Sequence, residues 1–299
     1  NKPSYGKSSH KQSMTSMALL AFLGHCELQD SPQFGPTVQK AIDFLTSESP
    51  DELTGTANNG AYAHGIRTYA LCEAYTMTKI PKLKEYAKRA AIFTIKGQNE
   101  NGGWAYGFGK GPVAHTDLSV SGWCIQGLKA AALTGIPIDG LDESMDKAIE
   151  YVKRCQDQTG RFQYKTDSHG GQSGRGSLTG TGILSLQIWK NAKSEEARKG
   201  LDWIVANICD NKSQKDWKNV NVYGWYYHAQ ACFQATGAGG ANYWRAWNRD
   251  FQQIVTKAQS EDGHWKHGYH FHGDTDIYRT AMTILMLEVY YRYMPSTKV

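Results

Sequence analysis

Two polar segments of the chain carry the residue types that acid–base or metal chemistry needs. In the first, HFHGDTDIYR, four side chains alternate along the chain: His270, His272, Asp274 and Asp276. If the segment is extended, alternation places all four on one side, where imidazole and carboxylate ligands suit a hard-to-borderline metal ion. The two histidines are therefore candidate metal ligands, and the two aspartates are candidate catalytic acids. The plainer interpretation is a polar loop whose aspartates cap a helix that begins near Ile277.

The second segment is GPVAHTDLSVSGW, in which His115 and Asp117 precede Trp123. Asp117 is a third candidate catalytic residue, with His115 and Trp123 as candidate ligand contacts. Here too a structural interpretation is available, because Asp and Ser are preferred N-cap residues and either Asp117 or Ser119 could begin a helix. Both interpretations stay open at the level of sequence.

The elements that must position these residues are marked by a repeated signature. A glutamine is followed by glycine at plus four and an aromatic residue at plus six, and this happens three times: Gln98, Gly102 and Trp104; Gln156, Gly160 and Phe162; Gln259, Gly263 and Trp265. The spacing indicates a repeat unit of roughly fifty residues. A glutamine side chain can bridge backbone groups at a helix end, the glycine permits a tight exit, and the aromatic residue fills the gap between neighbouring hairpins. We interpret the signature as a structural clasp.

Each signature closes an amphipathic helix, and helices of another kind lie between. Five segments have a charged outer face: PTVQKAIDFLTS, PKLKEYAKRAAIFTIKGQ, DESMDKAIEYVKRCQ, SEEARKGLDWIVANI and YWRAWNRDFQQIVTKAQ. Six others are poor in charge and are predicted to be buried: SMTSMALLAFLGH, GIRTYALCEAYTM, LSVSGWCIQGLKAAAL, SLTGTGILSLQIWK, YGWYYHAQACFQAT and YRTAMTILMLEVYYRY. The pattern predicts an all-α fold, an α/α toroid of about six inner and five outer helices. We expect one toroid domain over residues 1–299 that lacks an N-terminal outer helix, with the natural protein beginning further upstream.

Composition limits the partners of the protein. The formal charge is +5, and Lys and Arg are interleaved with Asp and Glu, so no basic stripe for nucleic acid is present. The longest apolar runs are too short to predict a membrane span. No CxxC pair occurs, which excludes zinc-finger and redox motifs, and Cys72, Cys124 and Cys232 are interpreted as buried hydrophobic residues. No cofactor is predicted, and the compartment and oligomeric state are left open.

RAAIFTIKGQNENGGW and KAIEYVKRCQDQTGRF resemble the glutamine-tryptophan repeats of squalene and oxidosqualene cyclases, which also mark the wider set containing protein prenyltransferase beta subunits. The resemblance implies an α/α toroid with a largely apolar central cavity. The functional motifs depart from it. Asp274 and Asp276 match two acids of the cyclase motif, but Ile277 stands at the last acid position and the Thr-Ala pair comes two residues late. At the prenyltransferase zinc positions stand Tyr223, Trp225 and Arg279, which do not suit a tetrahedral zinc site.

The remaining candidates are mostly aromatic residues of inner helices. Aromatic faces can stabilise carbocations or stack sugars, or they can simply supply buried area. The candidate ligand-binding residues are His115, Trp123, Tyr69, Trp225, Tyr226, His228, Tyr278 and Arg279.

The sequence favours a protein that binds an apolar, isoprenoid-like small molecule, and it leaves open whether the protein is an enzyme. One alternative is a terpenoid cyclase that uses Asp274 or Asp276 as its acid. The other is a polysaccharide lyase or hydrolase of toroid fold. A lyase of this shape needs a basic residue near carboxylate-held calcium, and Arg279 follows Asp274 and Asp276 closely enough to supply it.

Overall fold

The computed structural model describes residues 10–53, 60–109, 115–166, 176–211, 215–268 and 275–291. These ranges contain eleven α-helices and no β-strand. In chain order the helices are α1 (Lys11–Gly24), α2 (Gly35–Leu45), α3 (Gly60–Thr78), α4 (Pro81–Lys96), α5 (Leu118–Leu133), α6 (Leu141–Arg154), α7 (Thr179–Ile188), α8 (Glu195–Ile204), α9 (Val222–Gln234), α10 (Ala241–Ala258) and α11 (Asp276–Leu287). The predicted alternation of six low-charge and five amphipathic helices is confirmed.

The six odd-numbered helices are the low-charge ones, and they are buried over most of their surface. All ten residues of α7 are buried, as are most residues of α5 and α9. Helix α3 packs against α1 and α5, while α9 packs against α7 and α11. A helix without a charged face has no side to turn towards water, so neighbouring helices must cover it on every side.

The even-numbered helices bury one stripe each. Helix α6 buries Met145, Ala148, Ile149 and Val152, which recur at helical spacing. Its first turn is acidic and its last turn is basic, which complements the helix dipole. The charged face of α6 therefore stabilises the helix as well as keeping it in contact with solvent.

The chain divides into two compact units at the bond between Tyr151 and Val152. The N-terminal unit contains the described residues up to 151 together with Tyr290 and Tyr291, and the C-terminal unit contains those from 152 to 289. The single toroid domain expected over residues 1–299 stays a prediction. In the described part of the chain, no helix has both the length and the hydropathy that a membrane crossing requires.

The glutamines of the repeated signature act as clasps, as predicted. Gln98 Nε2 donates to the Gly102 carbonyl at 2.9 Å and to the Ser144 carbonyl at 2.8 Å. Gln156 Nε2 repeats the pattern with Gly160 at 2.9 Å and Glu196 at 2.8 Å. The second acceptor in each pair lies in the first turn of the next outer helix, rather than at the end of the glutamine's own helix. These two clasps therefore join successive outer helices.

The aromatic residue of each signature is fastened to the inner helix that follows. Trp104 is fully buried, and its Nε1 donates to the Thr94 carbonyl at 2.8 Å. In all three copies the backbone N–H of the aromatic residue donates to a hydroxyl of the next inner helix. These pairs are Trp104 with Ser121 at 3.0 Å, Phe162 with Thr179 at 3.3 Å, and Trp265 with Thr280 at 3.1 Å. The repeat thus fixes the loop that leads into α5, α7 and α11.

The third clasp differs from the others, which gives a graded prediction. Among the described residues, the exposed side chain of Gln259 donates only to the Gly263 carbonyl, at 2.9 Å. With about 1 kcal/mol for each net hydrogen bond, we expect Gln156→Ala to lower the free energy of unfolding by about 2 kcal/mol and Gln259→Ala by about 1 kcal/mol or less. Urea unfolding of both variants measures the difference. An equal or larger loss for Gln259→Ala would show that the bond to the next outer helix adds nothing.

The cysteines are placed as structural residues. All six are free thiols, and every one except Cys26 is buried, including the predicted Cys72, Cys124 and Cys232. Burial raises the pKa of Cys72 and Cys124 far above the ordinary thiol value, and it raises the pKa of Cys209 to about 12. Thiols protonated in this way are poor nucleophiles. The raised pKa values of Cys72, Cys124 and Cys209 therefore argue against covalent catalysis by these three thiols.

Candidate functional site

Asp117 lies at the start of α5 in the N-terminal unit and has two separate contacts. Its Oδ1 accepts hydrogen bonds from the Ser119 backbone N at 2.7 Å and from the Ser119 Oγ at 2.6 Å. Asp117 is therefore the N-cap of α5, as the plainer interpretation of the sequence predicted. The cap occupies only one carboxyl oxygen, so Oδ2 stays available for other interactions.

The loop that precedes α5 brings a tyrosine to this free oxygen. The Tyr106 hydroxyl donates to Asp117 Oδ2 at 3.3 Å. The Tyr106 ring is stacked on that of Tyr62 from the first turn of α3, with 6.4 Å between centroids and 17° between planes. Tyr106 is 36% exposed and Asp117 and Tyr62 are half-buried. A carboxyl group and an aromatic surface thus lie side by side where solvent reaches them.

Backbone contacts explain why the loop takes this course. The Asp117 backbone N donates to the Trp104 carbonyl, and the Ala61 backbone N donates to the Tyr106 carbonyl, both at 2.9 Å. Phe108 then turns back onto Gly97 at the end of α4, where an added Cβ would lie 2.5 Å from its ring. The buried Trp104, the start of α3 and the contact with Gly97 together fix the position of Tyr106.

Burial raises the pKa of the Asp117 carboxyl above its ordinary value. Hydrogen bonds from Ser119 and Tyr106 favour the charged form and oppose this effect, but burial outweighs them. The carboxyl group therefore keeps its proton to higher pH than an ordinary aspartate does. Such a group suits the role of a general acid.

The other predicted contacts of this segment lie in different environments. His115 is exposed. Trp123 is fully buried and Tyr69 is 2% exposed, both within the packed interior of inner helices. No contact shown here places Trp123 or Tyr69 beside Asp117. The ligand-binding roles of His115, Trp123 and Tyr69 stay predictions.

In the C-terminal unit, the structure changes the assignment made for the HFHGDTDIYR segment. Asp274, His270 and His272 lie outside the described residues. Helix α11 begins at Asp276, and its N-cap is Thr275, whose Oγ1 accepts from the Tyr278 backbone N at 3.2 Å. The expectation that the aspartates cap this helix is therefore wrong for Asp276, because Thr275 supplies the cap.

Asp276 is bound instead by His267 of the preceding loop. Its Oδ1 accepts from the His267 backbone N at 2.8 Å and lies 2.7 Å from His267 Nδ1. Burial acts to raise the pKa of Asp276, but the hydrogen bonds from His267 and the charges of His267 and His264 together outweigh it, and the net pKa is lowered. Asp276 is therefore an ionised carboxylate near neutral pH, which argues against its predicted role as a proton donor.

No metal centre is formed by the described residues: none of their His, Cys, Asp and Glu side chains form a group of three or more that could hold an ion. His264 and His267 approach Asp276 from the same loop, but His264 Nε2 is 3.9 Å from Asp276 Oδ2. The metal role of His270 and His272 stays a prediction.

The remaining predicted residues of the C-terminal unit are mostly packed in its interior. The ring centroids of Trp225 and Trp247 are 5.3 Å apart, and those of Tyr226 and Tyr227 are 4.9 Å apart. His228 is buried with its Nε2 3.2 Å from the Gly176 carbonyl, and burial lowers its pKa to about 4, so the imidazole is neutral. These contacts give the three residues structural roles, and their ligand-binding roles stay predictions.

Arg279 and Tyr278 are the two predicted ligand-binding residues on α11. Arg279 is buried, and its guanidinium donates to the carbonyls of Trp217 at 2.8 Å and Val220 at 3.0 Å, which fixes the turn before α9. These bonds give Arg279 a structural role, and the ligand-binding roles of Arg279 and Tyr278 stay predictions. Tyr278 is half-buried in the first turn of α11.

Comparison with known proteins identifies the fold. No protein-family model and no curated protein sequence matches this chain. Among solved structures, it is similar to the α-1,6-mannanase GH76A of Salegentibacter sp. HEL1_6, with a TM-score of 0.68 and 12% identity over 97% of this chain and 92% of the mannanase. It is also similar to cellobiose 2-epimerase of Bacillus thermoamylovorans B4167, with a TM-score of 0.66 and 14% identity over 93% and 87% of the two chains.

An inactive variant of the same mannanase, in complex with α-1,6-mannotriose, gives a TM-score of 0.63 and 14% identity over 95% and 90% of the two chains. The chain thus has the α/α toroid fold, as predicted. The sequence resemblance to squalene cyclases is confirmed for this fold and not for the cyclase family, because the structural neighbours are α/α toroids of another kind.

Sequence reasoning did not single out Tyr62, Tyr106 or His267 as site residues. Tyr106 stands two residues after Trp104 of the repeated signature, so the signature itself pointed to the loop that carries it. His267 is adjacent to Lys266 in a polar loop, and nothing in the spacing distinguishes it from its neighbours. Tyr62 reaches the site only through the packing of α3.

Proposed function

We propose that this protein is a carbohydrate-processing enzyme that cleaves glycosidic bonds by general acid catalysis, with Asp117 as the acid. The observation that carries the proposal is the half-buried Asp117 carboxyl, whose pKa burial raises and whose Oδ2 lies beside an accessible pair of stacked tyrosines. Glycosidases require a carboxylic acid that stays protonated near the working pH. Burial shifts the pKa of Asp117 in that direction.

The arrangement assigns a role to each group. Asp117 donates its proton to the oxygen of the leaving sugar as the bond from that oxygen to the anomeric carbon breaks. Water then adds its hydroxyl to the anomeric carbon, and the proton that the water loses restores the acid form of Asp117. The Tyr106 hydroxyl, donating to Oδ2, stabilises the carboxylate that forms. The rings of Tyr62 and Tyr106 offer an apolar face against which a sugar ring can stack.

The structural neighbours support carbohydrate as the substrate class. The proteins named above are a mannanase, which binds α-1,6-mannotriose as an inactive variant, and an epimerase of cellobiose. The proposal does not extend to mannanase activity itself. That inactive variant carries substitutions at two consecutive aspartates, and this chain contains no two consecutive Asp residues.

The isoprenoid-binding protein and the terpenoid cyclase are the competing functions. They rest on the glutamine-tryptophan repeat and on the aromatic inner helices. The repeat residues serve as clasps, and Trp225 and Tyr226 contact other aromatic side chains of the interior. A cyclase would also need a protonated acid. Of its two candidate acids, Asp276 is held ionised by His267, and Asp274 lies outside the described residues. These observations favour the carbohydrate proposal.

Product analysis tests the proposal. Purified protein is incubated with α-1,6-mannotriose, α-1,6-mannotetraose, cellobiose and mixed plant and bacterial polysaccharides, and products are separated and weighed by mass spectrometry. We expect shortened saccharides that heat-denatured protein does not produce. Unsaturated products would identify a lyase instead. Intact saccharides throughout, together with a stoichiometric isoprenoid in an organic extract of the protein, would overturn the proposal in favour of lipid binding.

A further inference from the structure

We propose that His267 and Asp276 form a second proton-transfer site, in the C-terminal unit, in which His267 Nε2 is a general base that activates a water molecule for the hydrolysis of an ester. Asp276 is its positioning residue. The inference does not rest on the proposed glycosidase function, because it uses none of the residues around Asp117.

The geometry fixes one nitrogen of the imidazole and leaves the other free. Asp276 Oδ1 is 2.7 Å from His267 Nδ1 and also accepts from the His267 backbone N at 2.8 Å. The side chain of His267 is 60% exposed. Within the described part of the chain, no hydrogen bond involves its Nε2. The carboxylate therefore orients the ring through Nδ1, in a side chain that solvent reaches.

The contact with Asp276 also selects the tautomer. An ionised carboxylate can only accept a hydrogen bond, so the neutral imidazole must carry its proton on Nδ1. Its lone pair is then on Nε2, the nitrogen that is free. Because Thr275 caps α11, both oxygens of Asp276 are available to the two histidines of the loop.

The loop that carries His267 packs closely against the rest of the C-terminal unit. An added Cβ at Gly268 would lie 2.6 Å from the Lys218 carbonyl and 2.7 Å from Arg279 Nη2. Only glycine permits this approach. Arg279 in turn donates to the carbonyls of Trp217 and Val220. The backbone at Gly268, the residue after His267, is thus packed against the buried Arg279.

Other charged groups approach the pair from the same loop and its neighbour. His264 Nε2 lies 3.9 Å from Asp276 Oδ2, and His264 Nδ1 contacts Asp262. The guanidinium of Arg279 donates to two backbone carbonyls, those of Trp217 and Val220. Asp276 therefore has two imidazole neighbours, but only His267 is bound through both its ring and its backbone.

The step that follows is a simple proton transfer. His267 Nε2 removes a proton from a water molecule as the water oxygen bonds to an acyl carbon, and the proton is then passed to the alkoxide or phenolate that leaves. Hydrolysis of p-nitrophenyl acetate is a suitable probe because it needs a base and no further reactant. A positioned general base raises the reaction rate by about 10²–10⁴-fold in evolved sites. For this non-natural probe we expect the protein to raise the hydrolysis rate at least about tenfold above the rate in buffer.

Four proteins are compared: the unaltered chain, His267→Gln, Asp276→Asn and the control His25→Gln. His25 is a matched control because it is 65% exposed and lies 3.5 Å from a carboxylate, Glu27, through its own Nδ1. We expect His267→Gln and Asp276→Asn to lose at least about nine-tenths of the rate above buffer, and His25→Gln to change it less than about twofold. A rate unchanged in His267→Gln, or lost equally in His25→Gln, overturns the proposal.

The role of Asp276 has its own spectroscopic test. Nitrogen-15 NMR at mildly alkaline pH is expected to show Nδ1 of His267 protonated in the unaltered chain and a mixture of tautomers in Asp276→Asn. A loss of rate in Asp276→Asn without a change of tautomer would overturn the positioning role. The spectra also report whether each variant is folded, so a general loss of structure is recognised.

Discussion

Asp117→Asn is expected to lower kcat for the saccharide that the protein cleaves by about 10²–10⁴-fold, the contribution of a general acid. The substitution removes the proton that the leaving oxygen must receive. It keeps the shape of the side chain, and Asn is as good an N-cap as Asp, so its Oδ1 can still accept from Ser119. Steady-state kinetics should therefore show a loss in kcat with KM within about threefold of the original.

Asp216→Asn is the matched control for this prediction. Asp216 also caps a short helix through its side chain, accepting from the Lys218 backbone N at 3.2 Å, but it is exposed. We expect its kcat to change less than about twofold, since surface substitutions away from a site have little effect. If Asp117→Asn keeps its activity, or loses it only through KM, Asp117 is not the acid.

Gly160→Ala is expected to lower the free energy of unfolding by about 2–5 kcal/mol. Gly160 has a φ of +92°, a left-handed conformation that costs a residue with a Cβ about 1–2 kcal/mol. The added Cβ would also lie 2.6 Å from the Lys199 carbonyl, and overpacking of this kind costs about 1–3 kcal/mol more. Gly102→Ala should behave alike, because its Cβ would lie 2.2 Å from the Lys147 carbonyl.

Gly263→Ala separates the cost of backbone strain from the cost of steric overlap. Gly263 has nearly the same φ, +90°, but an added Cβ meets only Gln259 Nε2 at 4.0 Å. Its loss should therefore be about 1–2 kcal/mol, from backbone strain alone. Chemical unfolding of the three variants measures both terms. Equal losses in all three would show that the approach of the next outer helix to the clasp is not the source of the cost.

The helices were predictable because their signal is local and periodic. In α6, the apolar residues Met145, Ala148 and Val152 recur at helical spacing and are all buried. The clasp was predictable for a related reason: glutamine, glycine and an aromatic residue each have a limited set of roles at a helix end, and the pattern occurs three times. Repetition turned a weak signal into a specific one.

The candidate sites depend on contacts that leave no periodic trace. Tyr106 meets Asp117 because a loop pinned at Ala61 and Gly97 folds back on itself. Tyr62 comes from another helix. Spacing could not show this, because those loop contacts join residues that are distant in sequence.

Capping was ambiguous for a different reason. Thr275 and Asp276 are adjacent, and both residue types form N-caps. Choosing between them requires the helix start to within one residue, which sequence periodicity does not give. The choice decides whether Asp276 is a structural cap or a carboxylate available to His267.

The pH dependence of saccharide turnover tests the central claim most directly. A general acid works in its protonated form, and burial raises the pKa of Asp117. Activity should therefore be present below the pKa of Asp117 in the folded protein and be lost as pH rises through it, with the falling limb above the range of an ordinary aspartate. A rate that rises with pH across that same range would mean that Asp117 acts ionised, and would contradict its assignment as the acid.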